Sequence, residues 1–271
     1  MKAPNFSLSR TLPAEFRRKG TQRGFTLIEL MIAITIGLLL TAGLLTLVQA
    51  MKRTTVTQNG MSQLQDNERM AMTLIADVIQ SAGYFPQPTL NSAATLMPVT
   101  GAFTTAGQSL VGTGAGTAVA PGDTLTVRYV TWGTNNGDQT INCTGSTNAT
   151  QLLMVNTFSL AADPNVTGSY DLLCTFNGAQ PVVLVTGIAN MQIYYGVRTN
   201  PTVSNNSVDS YLDATAVTAG NYWNNVLSVK VTVTFINPMY GTLPGQSTTN
   251  VPQTIAFTRV VDVMSKTGVS T

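Results

Sequence analysis

The chain has 271 residues, a tenth of them charged, and no histidine, which removes the commonest general base and metal ligand. That length allows one large domain or two modest ones, and an abundance of Thr, Asn, Gly, Val and Ala suits a β-rich extracytoplasmic domain better than a cytosolic helical enzyme. The formal charge of +2 misleads: six of the 14 basic residues lie in the first 24 positions, and from Phe25 onward eight basic side chains face eleven acidic ones, a formal −3 that gives no reason to expect nucleic acid as a partner.

In chain order, Lys2, Arg10, Arg17, Arg18, Lys19 and Arg23 precede Leu30–Val48, 19 residues without a formal charge. As a helix this run spans roughly 28 Å, close to a bilayer core of about 30 Å. The positive-inside rule places residues 1–24 in the cytoplasm and the bulk of the chain outside, although Lys52 and Arg53 weaken the asymmetry. A secretory signal cut after Val48-Gln49-Ala50 competes with this reading. Such signals have an apolar core of about 7–15 residues and carry no carboxylate, whereas here Glu29 sits inside the start of the run. An ionisable residue in a membrane segment marks a functional position. Ala33, Gly37 and Thr41, spaced by four, line one helix face. They either let a second helix approach closely or reflect the general frequency of Gly and Thr in membrane helices.

No proline falls between Phe25 and Tyr84. Leu64, Ala71, Leu74, Ile75, Val78 and Ala82 recur at helical spacing, so one helix is predicted from about Thr26 to Ala82, with Gly83 as C-cap and Pro86 preventing resumption. Gly60 weakens that helix by about 1 kcal/mol relative to Ala. Met51, Met61, Met70 and Met72 read as packing residues. Leu90 to Pro121 reads as loops with one short strand. Predicted strands follow over 124–130, 151–155, 169–176, 182–185, 191–197, 226–236 and 254–261. The alternation from Leu227 to Phe235 fits a sheet with one wet face, the other seating the second half of the helix. The loops 134–139 and 205–213 offer oxygen atoms but lack the spacing of a calcium loop, and polar turn chemistry is the simpler account. Tyr194, Tyr195 and Trp223 fit sheet packing better than a binding surface. No Gly-x-Ser-x-Gly or phosphate loop occurs, so neither catalysis nor a cofactor is expected.

Gly24-Phe25-Thr26-Leu27-Ile28-Glu29 after a basic leader resembles the signal of type IV pilins and type II secretion pseudopilins. Three further blocks resemble PilW-type minor pilins: Leu64–Arg69 through Asp77–Tyr84; Leu184–Ile188 with Met191–Val197; and Trp223–Val226 with Val229–Val233. The resemblance implies an α+β, type IV pilin-like fold: a prepilin leader over 1–24, a long helix over 25–83 with its transmembrane half at 30–48, and a periplasmic β-rich head over 84–271. It implies that a prepilin peptidase cuts between Gly24 and Phe25, that the Phe25 amine is N-methylated, and that Glu29 pairs with the Phe25 amine of a neighbouring subunit. The implied partners are that peptidase, other minor pilins and the major pilin, and the inner-membrane assembly platform. The implied role is priming pilus assembly, first in the inner membrane and then at or near the fibre tip. A J-type pseudopilin of type II secretion, and a tip adhesin or DNA-uptake module, are the alternatives. Where such chains often carry a Cys after Ala-Gly-Tyr, Phe85-Pro86 follow here, so no disulfide pattern transfers. Cys143 and Cys174 are the only cysteines, and in an oxidising compartment a disulfide closing the 30 residues between them is the first reading, with two buried thiols as the alternative and no metal site expected.

Overall fold

The computed structural model describes residues 24–114, 116–117, 121–200, 207–240 and 251–267. The expected leader therefore lies outside the described residues except for Gly24, as do Asn205 and Asn206 of the second polar loop. Two compact units emerge, Met1–Lys52 and Arg53–Thr271. The long helix α1 (Leu27–Gln80) contributes to both.

In the first unit α1 carries the apolar run. It is the one helix among the described residues long and apolar enough to cross a membrane, and none of its most apolar window is buried. Its uncharged stretch has no proline and is rich in leucine, so propensity and lipid both favour helix despite the β-branched run Ile34-Thr35-Ile36.

The second unit is a single antiparallel sheet with the remainder of α1 against one face. Its elements are α2 (Ala93–Leu96), β1 (Leu110–Thr113), β2 (Thr124–Thr131), β3 (Leu152–Ala162), β4 (Tyr170–Phe176), β5 (Val182–Val197), β6 (Ser210–Leu212), α3 (Ala214–Ala219), β7 (Val226–Ile236), β8 (Thr254–Asp262) and α4 (Met264–Thr267). The strand order is β1-β2-β3-β4-β5-β7-β8, with β6 pairing β5 beyond the end of β4. From Val229 to Ile236 of β7, residues 229, 231, 233 and 235 are buried and 230, 232, 234 and 236 are partly exposed, which is the alternation expected of a half-wet sheet, while Val226–Ser228 are buried throughout. The buried row meets Ala71, Met72, Ile75, Ala76, Val78 and Ile79 of α1 in one core. Ile75 and Ile79 are 1% and 0% exposed, so each contributes about 1.5–3 kcal/mol by burial.

One edge of β5 is shared by β4 at its start and β6 at its end, leaving a gap at Met191–Ile193. Gly122 and Asp123, just before β2, fill it, because the sheet curls enough for Gly122 to bridge Met191. Asp123 N–H donates to the Met191 carbonyl at 2.8 Å, and the Asp123 carboxylate accepts from Ile193 N–H at 2.8 Å. Gly122 has φ +100, and a Cβ there would collide with the Met191 backbone, so the plug requires glycine.

The structure departs from the sequence reading in several places. The helix ends at Gln80, and a turn carries the chain to Gly83, which has φ +74 and donates to the Arg128 carbonyl at 3.0 Å. Leu74 is only partly buried, and Met72, Ala76 and Ile79 complete the packed face instead. Met51 and Met70 are exposed, so of the four methionines only Met72 lies in the core. The two strands expected over 182–185 and 191–197 are one strand, β5, with a bulge between Ile188 and Asn190. The strand expected to stop at Val155 runs on to Ala162. Helix α3, capped by the Asp213 carboxylate accepting from Ala216 N–H at 2.8 Å, was not expected.

Candidate functional site

The segment singled out by the sequence begins in non-helical backbone. Gly24 and Phe25 are exposed, Phe25 at 86%, and the space where a Gly24 side chain would stand is open. An accessible, non-helical peptide bond is what a protease requires of a substrate.

Immediately after it the chain forms a reciprocal cap. Thr26 Oγ1 accepts from Glu29 N–H at 3.3 Å, while Glu29 Oε2 accepts from Thr26 N–H at 3.2 Å and from Thr26 Oγ1 at 3.1 Å. This is the capping-box arrangement, in which two amides left without helical partners are satisfied by two side chains. The carboxylate also sits at the positive end of the helix dipole. Thr-x-x-Glu before an apolar run is a readable signal of such a cap, a local role for Glu29 beside the pairing that the resemblance implies. Both carboxylate contacts use Oε2, so Oε1 remains available to a further donor.

Ala33, Gly37 and Thr41 lie exposed on α1. The Thr41 hydroxyl donates to the Gly37 and Leu38 carbonyls, both at 2.9 Å, and Thr35 and Thr46 are likewise bonded to their own helix. The stripe therefore offers small side chains with their hydroxyls already satisfied, a surface that needs no water.

In the second unit Cys143 and Cys174 form a disulfide with Cα atoms 6.0 Å apart, joining the loop after β2 to β4. Asn156 on β3 supports it by accepting from Cys143 N–H at 2.8 Å. The polar loop 134–139 is a turn organised by Asp138, whose carboxylate accepts from Trp132 N–H at 2.7 Å, Thr140 N–H at 2.9 Å and the Thr131 and Thr140 hydroxyls. Asp209 and Asp213 likewise bind backbone amides. Among the described residues no group of three or more Asp, Glu or Cys is placed to hold a metal ion. Tyr195 and Trp223 are buried and meet edge to face at 4.8 Å, so they belong to the core. Tyr194 faces the other way, its ring 5.1 Å from Lys230 Nζ. An open groove of about 520 Å³ lies between Asp77, Tyr84, Thr140 and Ser265.

The family described as Type IV Pilus-assembly protein W matches residues 129–262, and the prokaryotic N-terminal methylation motif matches residues 19–45. Together the two matches take in more than half of the chain. Among solved structures the chain is similar to a type IV-like pilin, TTHA1219 from Thermus thermophilus, at 10% identity and a TM-score of 0.36, over 76% of this chain and 98% of that one. No curated protein matches the sequence.

Proposed function

The chain belongs to the PilW-type minor pilins, and from that premise we propose that it is an assembly subunit acting by interaction, which primes type IV pilus formation and is carried at or near the fibre tip. In this reading the leader is removed between Gly24 and Phe25, and the remaining chain waits in the inner membrane with its β-rich head in the periplasm. It then joins other minor pilins and the major pilin at the assembly platform. The domain limits are a leader over 1–24, a helix over 25–83 and a head over 84–271.

The observation that carries the proposal is the exposed Gly24-Phe25 bond beside a capped Glu29 at the start of a lipid-facing helix. While the subunit is alone, Thr26 satisfies the carboxylate and lowers the cost of holding it at the membrane boundary. Cleavage then creates an amine on Phe25. In an assembling fibre the uncommitted Oε1 receives that amine from a neighbour, and the charge pair sets the axial position of one subunit against the next. The Ala33, Gly37 and Thr41 stripe is where helices approach most closely.

The test is the N-terminus of the protein isolated from cells, with a companion variant. Mass spectrometry is expected to find N-methyl-Phe25, whereas a chain starting at Met51 would make the apolar run a discarded signal. Glu29→Ala is expected to insert and be cleaved normally but to be missing from sheared fibres. Wild-type levels of that variant in fibres would overturn the pairing role.

A further inference from the structure

The two ends of the sheet are finished very differently. At one end β1 is four residues long and is covered by α3 and the Trp223–Asn225 turn. At the other end β8 is nine residues long, pairs only with β7 among the described residues, and keeps one register with it throughout, without a bulge.

The hydrogen bonds show which way each β8 residue points. Val263 N–H donates to the Leu227 carbonyl at 2.8 Å and Asn237 N–H to the Gln253 carbonyl at 3.0 Å, so odd-numbered residues of this strand bond to β7. Thr254, Ala256, Thr258, Val260 and Asp262 therefore turn their N–H and C=O groups outward, and all five are exposed. Natural sheets blunt such edges with Pro, Lys, a bulge or a covering element. Here the outward row is small and uncharged up to Asp262, and Val260 is 50% exposed.

The core beneath this edge is also unfinished. Phe257 and Ile255 face the same side as the buried row of β7, yet they are only partly buried, whereas their partners Val233 and Phe235 are 0% and 1% exposed. Beside them Arg259 is exposed, its guanidinium 3.4 Å from the Met72 carbonyl. It is the only cation on β8.

We propose that β8 is a docking edge for an extended segment of another protein, which adds one strand to the sheet and presents an apolar side chain against Phe257 and a carboxylate against Arg259. Main-chain hydrogen bonds supply attachment, and the apolar-x-acid spacing supplies selectivity. The charge argues against a second copy of this chain. Antiparallel self-pairing about Thr258 sets Phe257 opposite Arg259 and brings Asp262 to Thr254, so neither arginine meets an acid.

The experiment uses the full chain in detergent micelles and amide hydrogen exchange resolved over Thr254–Asp262. The probe is a synthetic peptide, Thr-Val-Thr-Val-Thr-Glu-Thr-Val-Thr, with a Lys-for-Glu analogue and an analogue N-methylated at alternate amides. Without peptide, the even-numbered amides are expected to exchange faster than the odd ones. The Glu peptide is expected to slow them by about tenfold or more and to bind better than the Lys analogue, and the N-methylated analogue is expected to have no effect. Arg259→Gln removes the preference for Glu over Lys. Thr258→Pro removes one outward N–H without touching the β7 ladder and abolishes protection. The proposal is overturned if even-numbered amides are already protected, if the N-methylated analogue protects as well as the parent, or if no peptide protects. Protection that rises with protein concentration alone would assign the edge to a second copy and would equally overturn it.

Discussion

Arg128 is the largest wholly buried side chain among the described residues, on a strand whose sequence reads as ordinary alternation. Its guanidinium donates to the carbonyls of Gln108 and Pro98 at 2.6 Å, of Met97 at 3.1 Å and of Thr105 at 3.4 Å, and lies 4.0 Å from the centre of the Phe103 ring. Burial pushes its pKa down to about 10, so it remains a cation at neutral pH and holds the 97–108 loop against β2. Arg128→Met keeps the volume but leaves buried carbonyls without a donor, and is expected to cost about 2–4 kcal/mol. The midpoint of urea unfolding in detergent measures it, with the fastest new hydrogen exchange expected over 97–108. Asp138 acts in the opposite sense. Burial alone raises its pKa, but hydrogen bonds from Thr140, Trp132 and Thr131 outweigh burial and hold it below the usual 3.8. A lowered carboxylate contributes stability above its unfolded pKa and loses it as pH falls through the folded value. Asp138→Asn is therefore expected to cost about 1–2 kcal/mol at pH 7 and progressively less below pH ~3.8. Melting temperatures of the two proteins from pH 7 down to ~2.5 should converge. Asp123, whose pKa is raised chiefly by burial, cannot produce that convergence, because its ionised form is the disfavoured one in the folded state.

Among the elements, α1 has one position where local propensity and tertiary packing disagree. By propensity, Gly60→Ala should stabilise the helix by about 1 kcal/mol. In the fold a Cβ at Gly60 would stand 2.9 Å from Pro238 Cβ, in the turn that follows β7. The substitution is expected to lower the melting temperature of the full chain in detergent, and Pro238→Gly in the same chain is expected to recover the loss. A rise with Gly60→Ala alone would mean that the turn yields freely. The periodicity of α1 and the alternation of β7 were legible because each buries one face against one neighbour. The strand β5 read as two pieces because Gly187, Ala189 and Asn190 interrupt the apolar pattern. The strand nevertheless runs on, since β4 pairs with its first part up to Ile188 and β7 pairs with it from Ile188 through the bulge to Val197. Strand β3 outruns the predicted 151–155 although Asn156, Thr157 and Ser159 have the composition of a loop. Asn156 is in fact buried as the acceptor for Cys143 N–H, a long-range role that no local window carries. Helix α3 has a signal, Asp213 before Ala-Thr-Ala-Val-Thr-Ala and then Gly220, but six residues give too few turns for periodicity to register.

At the scale of the whole molecule, the division of labour was visible in charge and hydropathy, whereas the docking edge was not. Glu29 and the Gly24-Phe25 bond stand out because lipid makes a lone carboxylate conspicuous. That β8 ends the sheet among the described residues depends on strand order, which is set by pairing between distant segments. The same charge pattern yields a measurable consequence of processing. The intact chain has pI ≈ 8.6 and a formal +2, six of its 14 basic residues lying within the first 24 positions. Removing residues 1–24 leaves the formal −3, and methylation of the new amine preserves that amine's charge. The protein from wild-type membranes is therefore expected to focus below pH 7, and the protein from cells without prepilin peptidase above it. Intact mass must accompany the focusing, because a cut after Ala50 also gives an acidic chain but removes residues 25–50. An acidic species with the mass of methylated 25–271 meets the prediction. A basic mature species, or an acidic one starting at Met51, would show that the leader is not cut at Gly24.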